Sequence, residues 1–401
     1  MPDFRQHASA FDSLVRSAGW MNPLQAVEVP FDPYSPCWCG SRRKWKFCHK
    51  ERGTQPRVSY GEAQSVADGF YAQGVCQHPD ASPSSCSTIE PIQSHTVQKR
   101  GGLAAIAEGG HVYSLKRGLR DIAKNNGQVD MAKMGVSRAS TFPGYCNHHD
   151  TTLFRPVERT GSILDVSNCF LLSLRAVTYE LATKAASLAA HQGNRDTVDR
   201  GMPFAKQVQL QSILHLHGVG MRKGLDDVMA NKALYDQTYR SQDFQKFNVC
   251  GVTFDVELPF VAAGAFMPQF DFGGKQIQVL TDPEITSQIA VNVTRLDGKS
   301  CVVLGWFGDA GCPAARLVDS FETLADDEKG DAVLALALEY LENVYFRPSW
   351  WEALPADISE RLHKRIAHGM PGRPHEAMDL MERGARVIHC SVAGSVRQRA
   401  V

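Results

Sequence analysis

Residues 247–258 read FNVCGVTFDVEL, a run dominated by β-branched and aromatic residues. Three further runs of this kind follow, KQIQVL at 275–280, QIAVNVT at 288–294 and SCVVLGWF at 300–307. Gly, Pro and Asp lie between the runs, which is typical of short strands joined by turns. We therefore predict a mostly antiparallel sheet within a domain that spans residues 246–372.

Helical periodicity lies on both sides of this strand-rich region. Gly218 and Gly220 interrupt the pattern on the N-terminal side, so we place a helix boundary there. The combination predicts the α+β fold class, with a helical middle segment and with helices beside the sheet in the C-terminal domain. The predicted helices cover about residues 163–191, 203–218, 221–240 and 316–344.

Composition shifts divide the chain into six predicted segments. Two of them are rich in Cys, and the last ends in a basic tail. The segments are an N-terminal extension with one short helix (1–29), a Cys-rich module (30–57), a second Cys/His unit (58–160), a helical segment (161–245), the α+β domain (246–372) and a tail (373–401).

The overall composition gives no sign of a membrane or nucleic-acid protein. Lys plus Arg and Asp plus Glu both number 43, so any such partner must bind a local patch. The most apolar stretch, Ile163–Leu188, contains four charged residues, and the first residues lack the apolar core of a secretory signal. We therefore expect a cytoplasmic location. In that reducing compartment, the six Cys within the first 146 residues indicate metal binding before disulfides.

Residues 36–49 read PCWCGSRRKWKFCH. Two Cys one residue apart can hold a metal from a tight turn, and eight residues later a Cys-His pair completes a set of four donors. Such a set forms the closed tetrahedral shell of structural zinc, which leaves no open position for a substrate. We predict that Cys37, Cys39, Cys48 and His49 bind Zn²⁺ and that the ion drives folding of this short module.

This stretch resembles the SEC-C motif, a zinc module found at the C-terminal end of the protein-export motor ATPase and in many bacterial proteins. The resemblance rests on the Cys-x-Cys-Gly-Ser start, the basic residues around an aromatic residue and the closing Cys-His pair. It implies an adaptor rather than an active site. From Gly40 to Arg57 the chain has seven basic residues and one acidic residue, Glu51. Such a surface suits nucleic acid or an acidic protein partner.

A second group of Cys and His residues lies between positions 76 and 149. Cys146 and His149, in FPGYCNHHD at 142–150, have the spacing of a metal pair at the start of a helix. The remaining two ligands have two alternatives, Cys76 with Cys86 or Cys86 with His95. We predict a second zinc site whose preferred ligands are Cys76, Cys86, Cys146 and His149.

The order of these residues resembles that of the HNH (ββα-metal) nucleases. These enzymes have a Cys pair, a His at a strand end, a Gly-rich loop and a helix that begins with metal ligands. The resemblance implies that His95 is a general base and that Asp150 holds a catalytic ion such as Mg²⁺. A neutral His deprotonates water, and the ion offsets charge that grows on the phosphate. Nine residues separate Cys76 from Cys86, where the family has two.

Two functional hypotheses follow. One is a non-catalytic zinc adaptor that binds nucleic acid or an acidic protein, which the sequence alone favours. The other is a metal-dependent nuclease that serves bacterial defence against foreign nucleic acid. Both would use basic residues to meet the partner, and we predict that these are Arg42, Arg43, Lys44, Lys46, Lys99, Arg100, Lys116 and Arg117.

Overall fold

The computed structural model has the predicted α+β architecture, with helices on a mostly antiparallel sheet. It describes residues 32–116, 130–280, 284, 286–368, 374–381 and 386–400. The N-terminal extension predicted at 1–29 lies outside these residues, as does its helix. Within the described ranges, no helix has both the length and the apolar character that crossing a membrane requires.

The strands of the described residues form two sheets. They are β1 (Ile92–His95), β2 (His111–Lys116), β3 (Asp130–Gly135), β4 (Thr141–Tyr145), β5 (Phe247–Phe254), β6 (Phe260–Phe266), β7 (Ile289–Leu296), β8 (Lys299–Phe307), β9 (Val344–Phe346) and β10 (Val392–Gln398). The larger sheet has the order β10-β5-β8-β7-β6-β9-β2-β3, and β1 pairs with β4 alone. Every pairing is antiparallel.

The β7–β8 hairpin shows how the sequence sets the register of the larger sheet. Leu296 lies opposite Lys299, so the loop between them is the two residues Asp297 and Gly298. Both have positive φ, 45° and 74°. An Asp-Gly pair with this backbone is the preferred two-residue turn, because its twist matches that of the strands.

The central strands are buried on both faces. On β8, Val302, Leu304 and Trp306 belong to one apolar cluster, whereas Cys301 and Val303 belong to another. Because successive side chains of a strand point to opposite faces, the sheet needs a helical layer on each side. The helices are α1 (Tyr60–Tyr71), α2 (Asn147–Glu158), α3 (Val166–Arg195), α4 (Phe204–Ser241), α5 (Pro313–Glu322), α6 (Lys329–Tyr340), α7 (Pro348–Glu352), α8 (Ala356–His368) and α9 (Met378–Met381). Residues of α5, α6 and α8 contribute to the first cluster, and residues of α2, α3 and α4 to the second.

Three expectations about individual elements are wrong. The helix predicted at 316–344 is two helices, α5 and α6, and residue 344 already belongs to β9. The run at 275–280 forms no strand, because the carboxylate of Asp271 accepts the backbone N–H groups of Gly273 and Lys275 and holds a turn. The helices predicted at 203–218 and 221–240 are one continuous helix, α4. Gly218 fits within it because a neighbouring side chain occupies the space that a Cβ would need, with His191 Nε2 only 3.1 Å from the position of that Cβ.

The chain divides into two compact units. The first contains residues 1–73, 118–120 and 183–226, of which 32–73 and 183–226 are described. The second contains residues 74–117, 121–182 and 227–401 and includes both sheets. The six-segment division stays a sequence-based prediction.

Candidate metal centres

The first Cys/His cluster lies in the first unit. Donor atoms of Cys37, Cys39, Cys48 and His49 all lie within 4.8 Å of one another, and all four residues are buried. His49 Nδ1 is 3.2 Å from the Sγ atoms of Cys37 and Cys48, and the Sγ atoms of Cys39 and Cys48 are 3.6 Å apart. Three sulfurs and one imidazole nitrogen form a donor set that can hold zinc.

A tight turn and a short helical turn bring these donors together. Gly40 has a φ of 75°, a conformation that glycine adopts without steric cost, and its N–H donates to the carbonyl of Cys37. A helical turn at Trp45–Phe47 then directs the second pair inward, with the N–H groups of Cys48 and His49 donating to the carbonyl of Trp45. The donors are thus local in sequence as well as in space.

The other ring nitrogen of His49 has a carboxylate partner. Nε2 of His49 lies 2.8 Å from Oδ2 of Asp199, and Asp199 also accepts hydrogen bonds from Arg52 and Gln211. Burial alone would raise the pKa of Asp199, but the bonds from His49 and Arg52 outweigh it and lower the pKa. An ionised Asp199 fixes the tautomer that leaves Nδ1 free to bind a metal.

The second Cys/His cluster lies in the second unit. Of the two closing pairs predicted, the structure brings Cys76 and Cys86 to Cys146 and His149, with donor atoms within 4.8 Å of one another. His149 Nδ1 is 3.3 Å from the Sγ atoms of Cys76 and Cys146 and 3.7 Å from that of Cys86. His95 is not among the four. This cluster too can hold zinc.

Helix α2 begins at the second cluster. Cys146 is its N-cap residue, and His149 lies in its first turn. Burial raises the pKa of the Cys146 thiol, but backbone N–H groups of His149 and Ser87 outweigh it, so the pKa falls to about 6. A helix N-terminus therefore favours the thiolate that a metal binds.

Two basic residues of α4 hold the loop that supplies Cys76. Lys232 Nζ donates to the carbonyl of Gln77, and Arg240 binds the Asp80 carboxylate with an N–O distance of 3.0 Å. The ring of His78 stacks on His149, with centroids 4.0 Å apart. The loop is thus fixed by contacts beyond the four donors.

His95 lies at the end of β1, opposite Thr141 of β4, the strand that precedes α2. Its Nε2 is 3.1 Å from the carbonyl oxygen of Val136. Burial lowers the pKa of His95, more than the Val136 carbonyl raises it. His95 is therefore neutral near pH 7, and if Nε2 carries the proton, Nδ1 is free to accept one.

Asp150 lies within the electrostatic influence of Arg175 and of Glu158, whose side chain is 39% exposed. Arg175 is fully buried, and its Nη2 donates to Glu158 Oε1 over 2.7 Å. Oδ1 of Asp150 and both Nε and Nη1 of Arg175 are buried without a hydrogen-bond partner. Burial raises the pKa of Asp150, while the charge of Arg175 opposes the rise. Sequence reasoning missed the role of Arg175, although a charged residue inside the apolar helix at 163–191 was its signal.

The predicted basic contacts are mostly exposed. Arg42, Lys44, Lys99 and Arg100 are exposed. Arg43 forms a 2.6 Å salt bridge with Asp196. The side chains of Lys116 and Arg117 lie outside the described part of the chain.

The chain matches no protein-family model, and no curated protein or solved structure is significantly similar to it.

Proposed function

We propose that the chain is a zinc-stabilised adaptor that binds single-stranded nucleic acid through the module around the first cluster. Exposed aromatic and basic side chains around that cluster carry this proposal. Four donors complete the preferred coordination of a structural zinc ion, so the first site has no position left for a substrate. The resemblance of residues 36–49 to the SEC-C motif supports the same adaptor role.

The basic–aromatic face is defined here as Tyr34, Arg42, Lys44, Lys46 and Phe47. Tyr34 is 61% exposed and Phe47 is 72% exposed, so a partner can reach both rings. Lys46 Nζ lies 3.9 Å from the centroid of the Tyr34 ring and 4.6 Å from that of Phe47. Aromatic rings that stack on bases, beside cations that meet phosphates, are the usual means of binding single strands.

Ion pairs narrow the set of basic residues available to a partner. Of the seven between Gly40 and Arg57, Arg43 pairs with Asp196 and Arg52 pairs with the buried Asp199. Lys44, Lys46 and Arg42 have no ion pair among the described residues. They can therefore contact phosphates without first breaking an ion pair.

The test is a binding titration with a labelled single-stranded oligonucleotide, followed by fluorescence anisotropy at several salt concentrations. We expect Lys44→Glu with Lys46→Glu to weaken binding and to reduce the salt slope by roughly 1.4, since each lost phosphate contact accounts for about 0.7. Tyr34→Ala or Phe47→Ala should each weaken binding roughly 5- to 150-fold. The double variant Lys246→Glu with Lys299→Glu is the control for the change in charge. Tyr60→Ala is the control for the loss of an exposed aromatic ring.

Two results would overturn this proposal. Equal binding by the face variants and the controls would place the contact elsewhere. Binding of polyglutamate as tight as that of the oligonucleotide, with no loss in the Tyr34 and Phe47 variants, would indicate an acidic protein partner instead.

A second candidate function, a metal-dependent nuclease, is favoured by the arrangement of β1, β4 and α2. His95 ends one strand of the pair, and Asp150 lies in the first turn of the helix that follows the other strand. The Asp150 Oδ1 atom is buried without a hydrogen-bond partner, so its lone pairs are available to a cation.

The chemistry assigned to this candidate is simple. A divalent ion such as Mg²⁺, held in part by Asp150, would supply positive charge next to a phosphate. His95 would accept a proton from water at Nδ1, while Val136 fixes the orientation of its ring. The second Cys/His cluster would anchor the start of α2 and take no part in the reaction.

The nuclease candidate is tested by cleavage of single- and double-stranded DNA with Mg²⁺ or Mn²⁺. We expect His95→Ala to abolish cleavage while zinc content stays unchanged, and His111→Ala, a change at an exposed His, to have no effect. No cleavage by the wild-type chain, or loss of zinc from the His95 variant, would rule this candidate out.

A further inference from the structure

A third group of metal-binding side chains lies in the second unit, away from both Cys/His clusters in sequence. Donor atoms of Glu339, His375 and Asp379 all lie within 4.8 Å of one another. We infer that these three residues bind a divalent transition-metal ion such as Mn²⁺ or Fe²⁺. This inference does not depend on the proposed adaptor role.

The burial of Glu339 is the first argument. It lies near the end of α6, whose sequence is KGDAVLALALEY, and its side chain is only 2% exposed. Its one hydrogen bond among the described residues is with His375, over 2.7 Å to Oε1. The other carboxylate oxygen, Oε2, accepts no hydrogen bond from the described residues. Among the described residues no Lys or Arg pairs with Glu339, so His375 and a bound cation together would offset the cost of its desolvation.

The orientation of His375 is the second argument. Its ring lies against Tyr340, with centroids 4.3 Å apart, and Tyr340 stacks in turn on Phe266 at 4.2 Å. This stack keeps the His375 ring in one orientation, with Nδ1 toward Glu339. A metal-binding His is normally held in this way before the ion arrives.

Asp379 supplies the third donor from the short helix α9. It lies four residues after His375, which precedes the helix, and its carboxylate is within 4.8 Å of the His375 ring nitrogen. Its Oδ2 accepts the backbone N–H of Glu376 over 2.6 Å, which fixes the carboxylate. Sequence reasoning did not single out these residues, because Glu339 is 36 residues from His375.

The donor set selects the class of ion. One imidazole and two carboxylates suit Mn²⁺ or Fe²⁺, whereas the sulfur-rich clusters select zinc. Three protein ligands also leave at least one coordination position open, unlike the four-donor clusters. The third site is therefore expected to exchange its ion more readily than the other two.

The test uses the full-length, zinc-loaded chain and titrates it with Mn²⁺, and the free ion is counted by electron paramagnetic resonance. We expect Glu339→Gln and Asp379→Asn each to remove one equivalent of bound Mn²⁺ without loss of zinc. Asp357→Asn, which changes an exposed acid on α8, is the matched control. Asp150→Asn is measured in parallel so that an ion bound there is counted separately.

A thermal melt separates loss of the ion from loss of the fold. Glu339→Gln keeps the shape of the side chain and an acceptor for His375, so a cooperative melt without Mn²⁺ would show that the variant is folded. Mn²⁺ should then raise the melting temperature of the wild type and leave that of Glu339→Gln unchanged. No Mn²⁺ bound by the wild type, or equal binding by Glu339→Gln and the wild type, overturns the inference.

Discussion

Nε2 of His49 lies 2.8 Å from Oδ2 of Asp199, a residue 150 positions further along the chain. Both side chains are almost fully buried, at 1% and 0% exposure. The contact ties the metal module at 36–49 to the segment between α3 and α4. A carboxylate behind a metal-binding His raises the basicity of the ring and fixes its tautomer, so Asp199 is positioned to support metal binding by His49 without being a ligand itself.

Asp199→Asn should weaken zinc binding at the first cluster by roughly 10- to 100-fold, because the amide removes the charge that supports His49. Competition with a chromophoric chelator measures this affinity. Asp196→Asn is the matched control, since Asp196 pairs with Arg43 at the surface. Equal zinc affinity in the two variants would show that the Asp199 carboxylate does not act on the metal.

Loss of one ligand from the second cluster should halve the zinc content of the chain. We expect Cys86→Ser to lower it from two ions to one, because three donors cannot close a structural site. His95→Ala should retain both ions, since His95 lies outside the cluster. Cys312→Ser, a change at a half-buried Cys that caps α5, should also retain both. Elemental analysis of the purified variants distinguishes these outcomes.

The sequence predicted the first cluster because its donors lie within 13 residues, where spacing along the chain determines spacing in the fold. The second cluster draws on residues 76–149, and the sequence left two closing pairs open. Which pair completes the second cluster depends on the pairing of β1 with β4, and no local sequence pattern predicts that pairing. Asp199 and Arg175 were missed for the same reason, since their partners lie on other elements.

Strands of the larger sheet were predicted where their apolar runs are long, and they were missed where the hydrophobic pattern is weak. Strand β10 reads VAGSVRQ and alternates between half-buried and exposed positions, as an edge strand beside β5 does. Small and polar residues on such a strand give little hydrophobic contrast, so its segment was predicted as a tail. Strand β6 reads FVAAGAF and is buried throughout, a pattern that a buried helix shares.

Asp331 should make stability depend on pH. It is buried at the start of α6 and accepts the N–H groups of Val387 and Ile388. Burial raises its pKa above the usual 3.8, and these hydrogen bonds offset only part of the rise. Its stabilising contribution is therefore complete below the unfolded pKa and is lost as pH rises through the folded pKa.

Comparison with Asp331→Asn isolates this effect, because the amide does not titrate. We expect the free energy of unfolding of the wild type to rise relative to that of the variant as pH falls from neutral to mildly acidic. Urea titrations at each pH measure the difference in the free energy of unfolding between wild type and variant. Any effect of zinc loss that the two proteins share cancels in this difference. A difference between wild type and Asp331→Asn that stays constant over this pH range would contradict the prediction.

Two glycines of α4 should respond in opposite ways to alanine. Gly220 has open space around the position of a Cβ, so Gly220→Ala should stabilise the chain by about 0.5–1 kcal/mol, the usual helical gain. At Gly218 the new Cβ would lie 3.1 Å from Nε2 of His191, which is within 2.8 Å of the carbonyl oxygen of Leu214. His191 would have to move and give up that contact, so Gly218→Ala should gain nothing or destabilise the chain.

A double-mutant cycle checks that His191 is the cause. In a His191→Ala background the obstacle is absent, so Gly218→Ala should recover most of the gain seen at Gly220. Urea denaturation of the four proteins gives the coupling free energy between the two positions. An unchanged effect of Gly218→Ala in that background would mean that contact with His191 does not explain why α4 carries a glycine at position 218.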